Sequence, residues 1–436
     1  MMNILFLYAS VTKAGKWAEK LKPKISTYPS LALALLAALT PKDITVRILN
    51  EEFEEINFDD KVDLVGISFL TPAAPRAYEI ADNFRKKGIT VVMGGVHVSA
   101  IPEDAMPHAD ALVVGEAEEV WAKLLEDFKN GTLQKVYKAV NYTDLSKLPY
   151  ARLDLINRKN YITTNVIQAS RGCSLGCEFC SIEALFGKKP RFRPVKEVIA
   201  EIKTMPKQKV LLFTDDNLIM SPSYAEELFT AIKPLKILWM GEASWTIGHR
   251  HELLKLMKES GCIGLLIGFE SIQEQIYTKK VSKHKDMRIV YKNAIRNLHK
   301  YQIVVLGAFV FGFDNDDAST LNKTLQFCLK NHVDIAEFNA IIPFPGTPLY
   351  RRLSQENRIL TRDWSKYTYE PPGKVFQLKN MTNDELSTNI KRIYRNFYSY
   401  RHLIPRIIRS FFIYRDIRKV IYLLIIFKSF RKKTDF

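Results

Sequence analysis

Short apolar runs rich in β-branched residues alternate with helical stretches along almost the whole chain, and that alternation limits its fold more than any other feature. In the first third the runs are 4–8, 46–49, 64–68, 90–93 and 111–114, with helical patterns over 31–39, 77–87 and 118–128. The runs are continuous rather than alternating, as strands covered on both faces must be. They predict an α/β unit over residues 1–140, a Rossmann-like doubly wound parallel sheet that binds ligands at the carboxyl ends of its strands. A polar connector spans about 130–159, with the linker proper at 141–160. A second series follows at 165–169, 209–214, 237–242, 263–269, 304–313 and 335–342. Strands that end in small, acidic or turn residues, with helices between them, predict a partial (β/α)6 barrel of TIM type over 161–365. Residues 366–436 read as a C-terminal helical extension, irregular after Trp364 and helical from Asn383.

A chain of 436 residues is long enough for two or three domains, and 47% hydrophobic with 25% charged residues is ordinary for a soluble globular protein. No apolar run is long enough to span a bilayer. The opening MMNILFLYAS has no basic segment and no small-residue cleavage site, so it reads as a buried first strand rather than a signal peptide.

Three of the five cysteines fall in Ser170-Arg171-Gly172-Cys173-Ser174-Leu175-Gly176-Cys177-Glu178-Phe179-Cys180, just past the first strand of the second series. They are closer than a disulfide framework places them, and the odd total suits a reducing compartment and a metal. Thiolates hold iron–sulfur clusters, and three of them leave one iron of a four-iron cubane without a protein ligand. Gly172 and Gly176 let the backbone wrap closely. A structural zinc site is the competing reading, but its fourth ligand would be distant Cys262 or Cys328, each in an apolar pattern.

The CxxxCxxC loop, down to Phe179 before its last cysteine, resembles that of the radical S-adenosylmethionine (SAM) superfamily, and the likeness extends over nearly the whole chain. It implies that Cys173, Cys177 and Cys180 ligate a [4Fe–4S] cluster whose open iron chelates SAM, and that reductive cleavage yields a 5′-deoxyadenosyl radical. By the same resemblance Asp215 or Asp216, in Thr214-Asp215-Asp216-Asn217, receives the SAM ammonium, although an acidic helix cap would read the same way. Glu270 and Ser271, in Gly268-Phe269-Glu270-Ser271, match a ribose-contacting strand end, and Gly312 and Asp314 match the strand beside the adenine. Pro343-Phe344-Pro345-Gly346-Thr347-Pro348 resembles the segment that closes the last strand.

The first unit resembles the cobalamin (B12)-binding domain fused to many radical SAM proteins. Ser68, Leu70 and Thr71 follow its third strand, Gly94, Gly95 and His97 its fourth, and Gly115 and Glu116 its fifth. The resemblance implies that the small residues admit the corrin's nucleotide tail and that Ser68 or Thr71 hydrogen-bonds to it. The chain departs from the pattern in one place: Tyr8-Ala9-Ser10-Val11-Thr12-Lys13-Ala14-Gly15-Lys16 lacks the histidine of a DxHxxG motif, so the cobalt would have no such lower ligand. His97 reads as a loop or phosphate contact. A Rossmann-like domain without cobalamin is the plainer reading.

The net charge of +17 is uneven, because residues 401–436 carry ten basic side chains against Asp416 and Asp435. Apolar stretches interleaved with Lys and Arg are what interfacial helices present to anionic lipid, and equally what a helix with a solvated basic end presents to water. The sequence therefore predicts a cytoplasmic protein, peripheral on the inner face of a membrane if the tail engages lipid. Its partners are a small-molecule substrate and an electron donor of flavodoxin or ferredoxin type, with nucleic acid not expected. The implied function is cobalamin-dependent methylation of an unactivated carbon, on a lipid or isoprenoid in the reading that the tail suggests. The rivals are a radical SAM cyclisation or rearrangement without methyl transfer, an RNA-modifying enzyme, and a non-catalytic cobalamin-binding protein.

Overall fold

A computed structural model of the chain describes residues 2–11, 26–206, 210–273, 286–369 and 372–416, and beyond them 419–421, 423, 424 and 427. The first parallel sheet comprises β1 (Asn3–Tyr8), β2 (Thr45–Asn50), β3 (Leu64–Ser68), β4 (Thr90–Gly94), β5 (Ala111–Val114) and β6 (Val136–Lys138), in the order β2-β1-β3-β4-β5-β6. The winding direction reverses between β1 and β3, and at such a switch point the strand ends part to leave a crevice. Leu5, Leu7, Val65 and Met93 pack toward the helix Ala74–Lys86, while Ile4, Phe6, Leu64 and Val92 pack toward the helices Leu31–Leu39 and Trp121–Lys129. Burial on both faces is why these strands read as unbroken apolar runs. The edge strand β6 lies inside the stretch expected to be connector. Only Tyr137 of its three residues is buried, so it leaves no apolar run to detect. Residues 12–16, part of the loop that lacks the DxHxxG histidine, lie outside the described residues.

The second unit opens with β7 (Val166–Ile167) and a short antiparallel ribbon of β8 (Ser170–Arg171) and β9 (Arg191–Phe192). It continues with β10 (Leu211–Phe213), β11 (Trp239–Ser244), β12 (Cys262–Glu270), β13 (Val304–Phe311) and β14 (Ile335–Ala340). The strands β7 and β10 to β14 form one parallel sheet of six, side by side in chain order, an open barrel. Each expected strand of the series is present; β10 is described from Leu211, and Lys209 lies outside the described residues.

An open barrel leaves an edge, and here β14 is that edge. The helix Asn383–Phe397, started by a reciprocal capping box of Thr382 and Glu385, covers it. The Tyr394 hydroxyl accepts from the Phe338 amide at 2.9 Å, and the Tyr398 hydroxyl donates to the Ala336 carbonyl at 2.9 Å while accepting from its amide at 3.2 Å. The following helix, Tyr400–Tyr414, is anchored at the opposite end of the barrel from the cysteine loop. Tyr414 donates to Asp334, the residue before β14, at 2.6 Å, and His299 meets the same carboxylate at 3.0 Å. Arg406 lies 3.6 Å over the Phe397 ring and donates to the Phe397 carbonyl. Among the described residues no helix is long and apolar enough to cross a membrane.

Candidate active site

The β8–β9 ribbon closes the base of the cysteine loop, so the segment between them is a tied loop rather than a free excursion. Gly172 and Gly176 have φ of +89° and +66°, and a Cβ on Gly172 would lie 3.2 Å from the Lys189 carbonyl oxygen, so that turn requires glycine. The loop is held from three sides. Asp216 accepts from the Gly172 amide at 2.8 Å; Phe179 packs edge-on against Phe313; and Glu178 accepts from Arg352 at 3.1 Å while its carbonyl accepts from the Leu349 amide at 2.8 Å. Within the proline-rich segment 343–348, Gly346 sits where a Cβ would lie 3.0 Å from Ala100 of the first unit. The three thiols are partly buried, and Cys173 adds to the rise of both Cys177 and Cys180. Burial, then neighbouring Glu270 and the other cysteines, pushes Cys177 up to about 12, and burial leads the rise of Cys180 to about 11. Three cysteines on one tied loop are the donor set that an iron–sulfur cluster takes as thiolates.

Inside the barrel, side chains alternate between two environments. Phe269, Phe309 and Phe338 point outward into the helix layer and are fully buried. The inward positions Met240, Glu242, Leu266, Glu270, Leu306 and Glu337 are only partly buried, so the interior is a chamber rather than a packed core. Its walls are acidic. Burial pushes Glu242 up to about 7, and every charged neighbour that raises it further is a carboxylate: Asp216, Glu337, Asp215 and Glu270. Glu270, also pushed up to about 7 by burial, sits at φ +61° where the pairing of β12 with β13 slips, a left-handed conformation that costs a non-glycine residue about 1–3 kcal/mol. Tyr28 from the first unit approaches Glu242 and Glu337, and Tyr369 approaches Cys180 and Glu270.

Of the expected SAM contacts, Asp216 and Glu270 face this space. Asp215 is instead buried against β8, where it accepts from the Ala169 amide at 3.0 Å and the Ser170 hydroxyl at 2.6 Å. Ser271 is buried and accepts from the Gln273 amide at 3.1 Å. Gly312, at φ +106°, donates to Asp316 at 2.9 Å and turns the chain there; Asp314 lies in an ion network with Arg352, Arg358 and Lys379. Glu242 and Glu337 are additional wall residues that the motifs do not mark.

In the first unit a cavity of about 200 Å³ opens at the carboxyl ends of β3, β4 and β5. Its lining is mainly apolar and includes the expected Ser68, Gly94, Gly95, Gly115 and Glu116. Gly66, within β3, joins them: a Cβ there would lie 2.8 Å from the Phe6 ring. Nothing lies within 4 Å of a Cβ built on Gly115, so the slot itself occupies that direction. The shape and the small-residue walls fit the nucleotide tail of a corrin. Of the other expected contacts, Leu70 is exposed and Thr71 buried, and neither lines the cavity; the Thr71 hydroxyl meets His97 Nδ1 at 3.2 Å. His97 is buried beside Tyr78 and Asp104, and Asp104 also accepts from the Trp364 indole at 2.8 Å, so His97 belongs to a contact between the two units.

Gln168, Arg171, Phe186 and Thr214 of the second unit also line the cavity, which thus reaches the base of the cysteine loop. A buried ion cluster joins the two. Glu116 accepts from Arg171 at 2.8 Å and Arg191 at 2.9 Å, and from the Thr143 amide at 2.8 Å, while Arg171 also pairs with Glu118 at 2.6 Å. Burial alone would raise Glu116, but the two guanidiniums outweigh it and hold the carboxylate low. The carboxylate of Glu116 therefore clasps the ribbon under the cysteine loop.

A doubly wound domain with a nucleotide-sized slot, set against an open acidic barrel with three cysteines at its mouth, defines an enzyme that brings an iron–sulfur cluster and a cationic cosubstrate beside a second cofactor. The Radical SAM superfamily model matches residues 167–328 and the B12 binding domain model residues 26–125. A bacteriochlorophyllide d C-12(1)-methyltransferase of Chlorobaculum tepidum is 31% identical over 388 residues, covering 86% of this chain and 84% of that protein. A hopanoid C-2 methylase of Rhodopseudomonas palustris is 28% identical over 354 residues, covering 77% of this chain and 66% of that one. The radical SAM methyltransferase TsrM of Kitasatospora setae, solved with cobalamin and a [4Fe–4S] cluster, shares the fold with a TM-score of 0.65 at 16% identity, over 82% of this chain and 75% of that one. The chain belongs to the radical SAM superfamily and carries an N-terminal B12 binding domain. The cofactors of that class are a [4Fe–4S] cluster, SAM and cobalamin.

Proposed function

We propose that this enzyme methylates an unactivated carbon of an apolar, ring-rich small molecule. The observation that carries the reading is that the cysteine loop and the nucleotide-sized slot meet at one interdomain face, with Arg171 in both. The bound cofactors supply reductive cleavage of SAM and a methyl carrier, chemistry no side chain provides. The protein's own residues supply position. Cys173, Cys177 and Cys180 hold the cluster; the carboxylates of Asp216 and Glu270 receive the ammonium and ribose of SAM; Ser68, Gly94, Gly95 and Gly115 admit the nucleotide tail. The acidic walls favour a cation over water, and Tyr28 and Tyr369 narrow the mouth.

The substrate class is supported by two relatives, a bacteriochlorophyllide d methyltransferase and a hopanoid methylase, whose named substrates are both large ring systems. The tail gives it no support, because its helix lies at the far end of the barrel from the cysteine loop. Electrons come from a flavodoxin- or ferredoxin-type donor, and the protein works in the cytoplasm, peripheral to the inner face of a membrane.

The test is anaerobic turnover with methyl-deuterated SAM and a pool of tetrapyrrole and hopanoid acceptors. Labelled product together with 5′-deoxyadenosine and S-adenosylhomocysteine is expected. Altered product without label would assign a rearrangement instead and end the methyltransferase reading.

A further inference from the structure

We propose that the helix Tyr400–Tyr414 docks the enzyme on an anionic lipid surface with its outer face, turning the mouth of the barrel away from the membrane. The inner face of this helix is fully committed: Leu403, Arg406, Ser410 and Tyr414 are buried, with Tyr414 bonded to Asp334 and Ser410 to the Arg406 carbonyl at 2.8 Å. The outer face is the reverse of what a solvated helix presents. Tyr400, Ile404, Ile408, Phe411 and Phe412 are all more than half exposed, and at 100° per residue they share one arc of the helix about 20 Å long. Ile421 and Leu424, further along the chain, are exposed as well. Soluble proteins rarely leave so much contiguous apolar surface uncovered without a partner.

Charge selects the partner. Arg401 on this helix and Arg415 at its C-cap are exposed. The helix Met287–Lys300, which packs against it through His299 and Tyr414, exposes Lys292, Arg296 and Lys300 and contains no acidic residue. The helix Asn383–Phe397, on its other flank, exposes Arg392 and Arg395. A second copy of this chain would bring the same cations face to face, whereas an anionic bilayer supplies both the apolar layer and the opposite charge. The orientation follows from the anchor. Asp334 precedes β14 and Gln302, whose carbonyl accepts from Lys419, lies just before β13, so the helix caps the amino ends of the strands while the cysteine loop lies at their carboxyl ends. Bound this way, the enzyme offers its cluster side to soluble partners.

The proposal rests on the membrane location given above and not on the chemistry, so vesicle binding and methyl transfer can fail separately. The full chain is mixed with phosphatidylcholine vesicles with and without phosphatidylglycerol and sedimented. Binding to the anionic vesicles at low salt is expected, with at least about tenfold less on neutral vesicles or at high salt. Ile408→Ser with Phe412→Ser is expected to lower partitioning about tenfold or more, because each substitution removes a large apolar side chain from the contact. Arg401→Glu with Arg415→Glu weakens it comparably and leaves the apolar face intact. All four positions are exposed, so the melting temperature is expected to be unchanged. Binding that ignores lipid charge, or that survives both double variants, would overturn the proposal. So would a wild-type dimer in solution that Phe412→Ser dissociates, since the face would then belong to a second copy.

Discussion

Single carboxylates do much of the organising in this chain, and Asp314 shows how its neighbours decide their state. Burial would raise it, but hydrogen bonds from Arg358 and Lys379 and the charges of Arg358 and Arg352 bring it down to about 2. A group depressed in the folded state stabilises above its unfolded value and loses that contribution as pH falls through the folded one. Asp314→Asn is therefore expected to cost about 1 kcal/mol at neutral pH after solvent screening, with the gap to wild type closing between about pH 4 and 2 in denaturant titrations. At the cysteine loop, Ala at Cys173, Cys177 or Cys180 is expected to abolish bound iron and 5′-deoxyadenosine formation together while cobalamin binding persists; iron retained by all three variants would refute the ligand assignment. The cysteine loop is legible from its spacing, its place after a strand and its resemblance to a known family. Glu242 and Glu337 are not, because an acid inside an apolar strand reads the same whether it faces solvent or a chamber. Glu116 is visible as a polar residue after a strand, but its partners Arg171 and Arg191 lie 55 and 75 residues on, and no local pattern links them.

The strands were legible wherever both faces are buried, since that burial writes a continuous apolar run. The elements that escape are short or one-sided: β6, with one buried residue, and the β8–β9 ribbon, whose pairing is set by the loop it closes. The helix over β14 was visible as a pattern, yet its purpose rests on two hydroxyls. Tyr398→Phe removes both bonds to Ala336, and Tyr394→Phe leaves the Phe338 amide without its acceptor. Each is expected to cost about 1–3 kcal/mol in urea titrations, and the double variant is expected to scatter light before its unfolding midpoint as the bared edge finds other chains. Loss of stability without association would mean that the helix body, rather than the hydroxyls, guards the edge.

Across the whole molecule the two units are joined by buried charge at Glu116, by the Asp104–Trp364 contact and by the close approach of Gly346 to Ala100. Scanning calorimetry is accordingly expected to show one transition. Glu116→Ala, which leaves two guanidiniums buried without their shared partner, is expected to lower stability by about 3 kcal/mol or more and to split that transition in two. A single, unshifted transition would show that the clasp is dispensable. The hollow acidic barrel has a different consequence. With its inward carboxylates crowded together, the chamber raises Glu242 and Glu270 to about 7, and an arriving sulfonium acts as their counter-ion. Cosubstrate capture should then expel protons at pH 7, less so above about pH 8.5, and isothermal titration in buffers of unequal ionisation heat would read the number released.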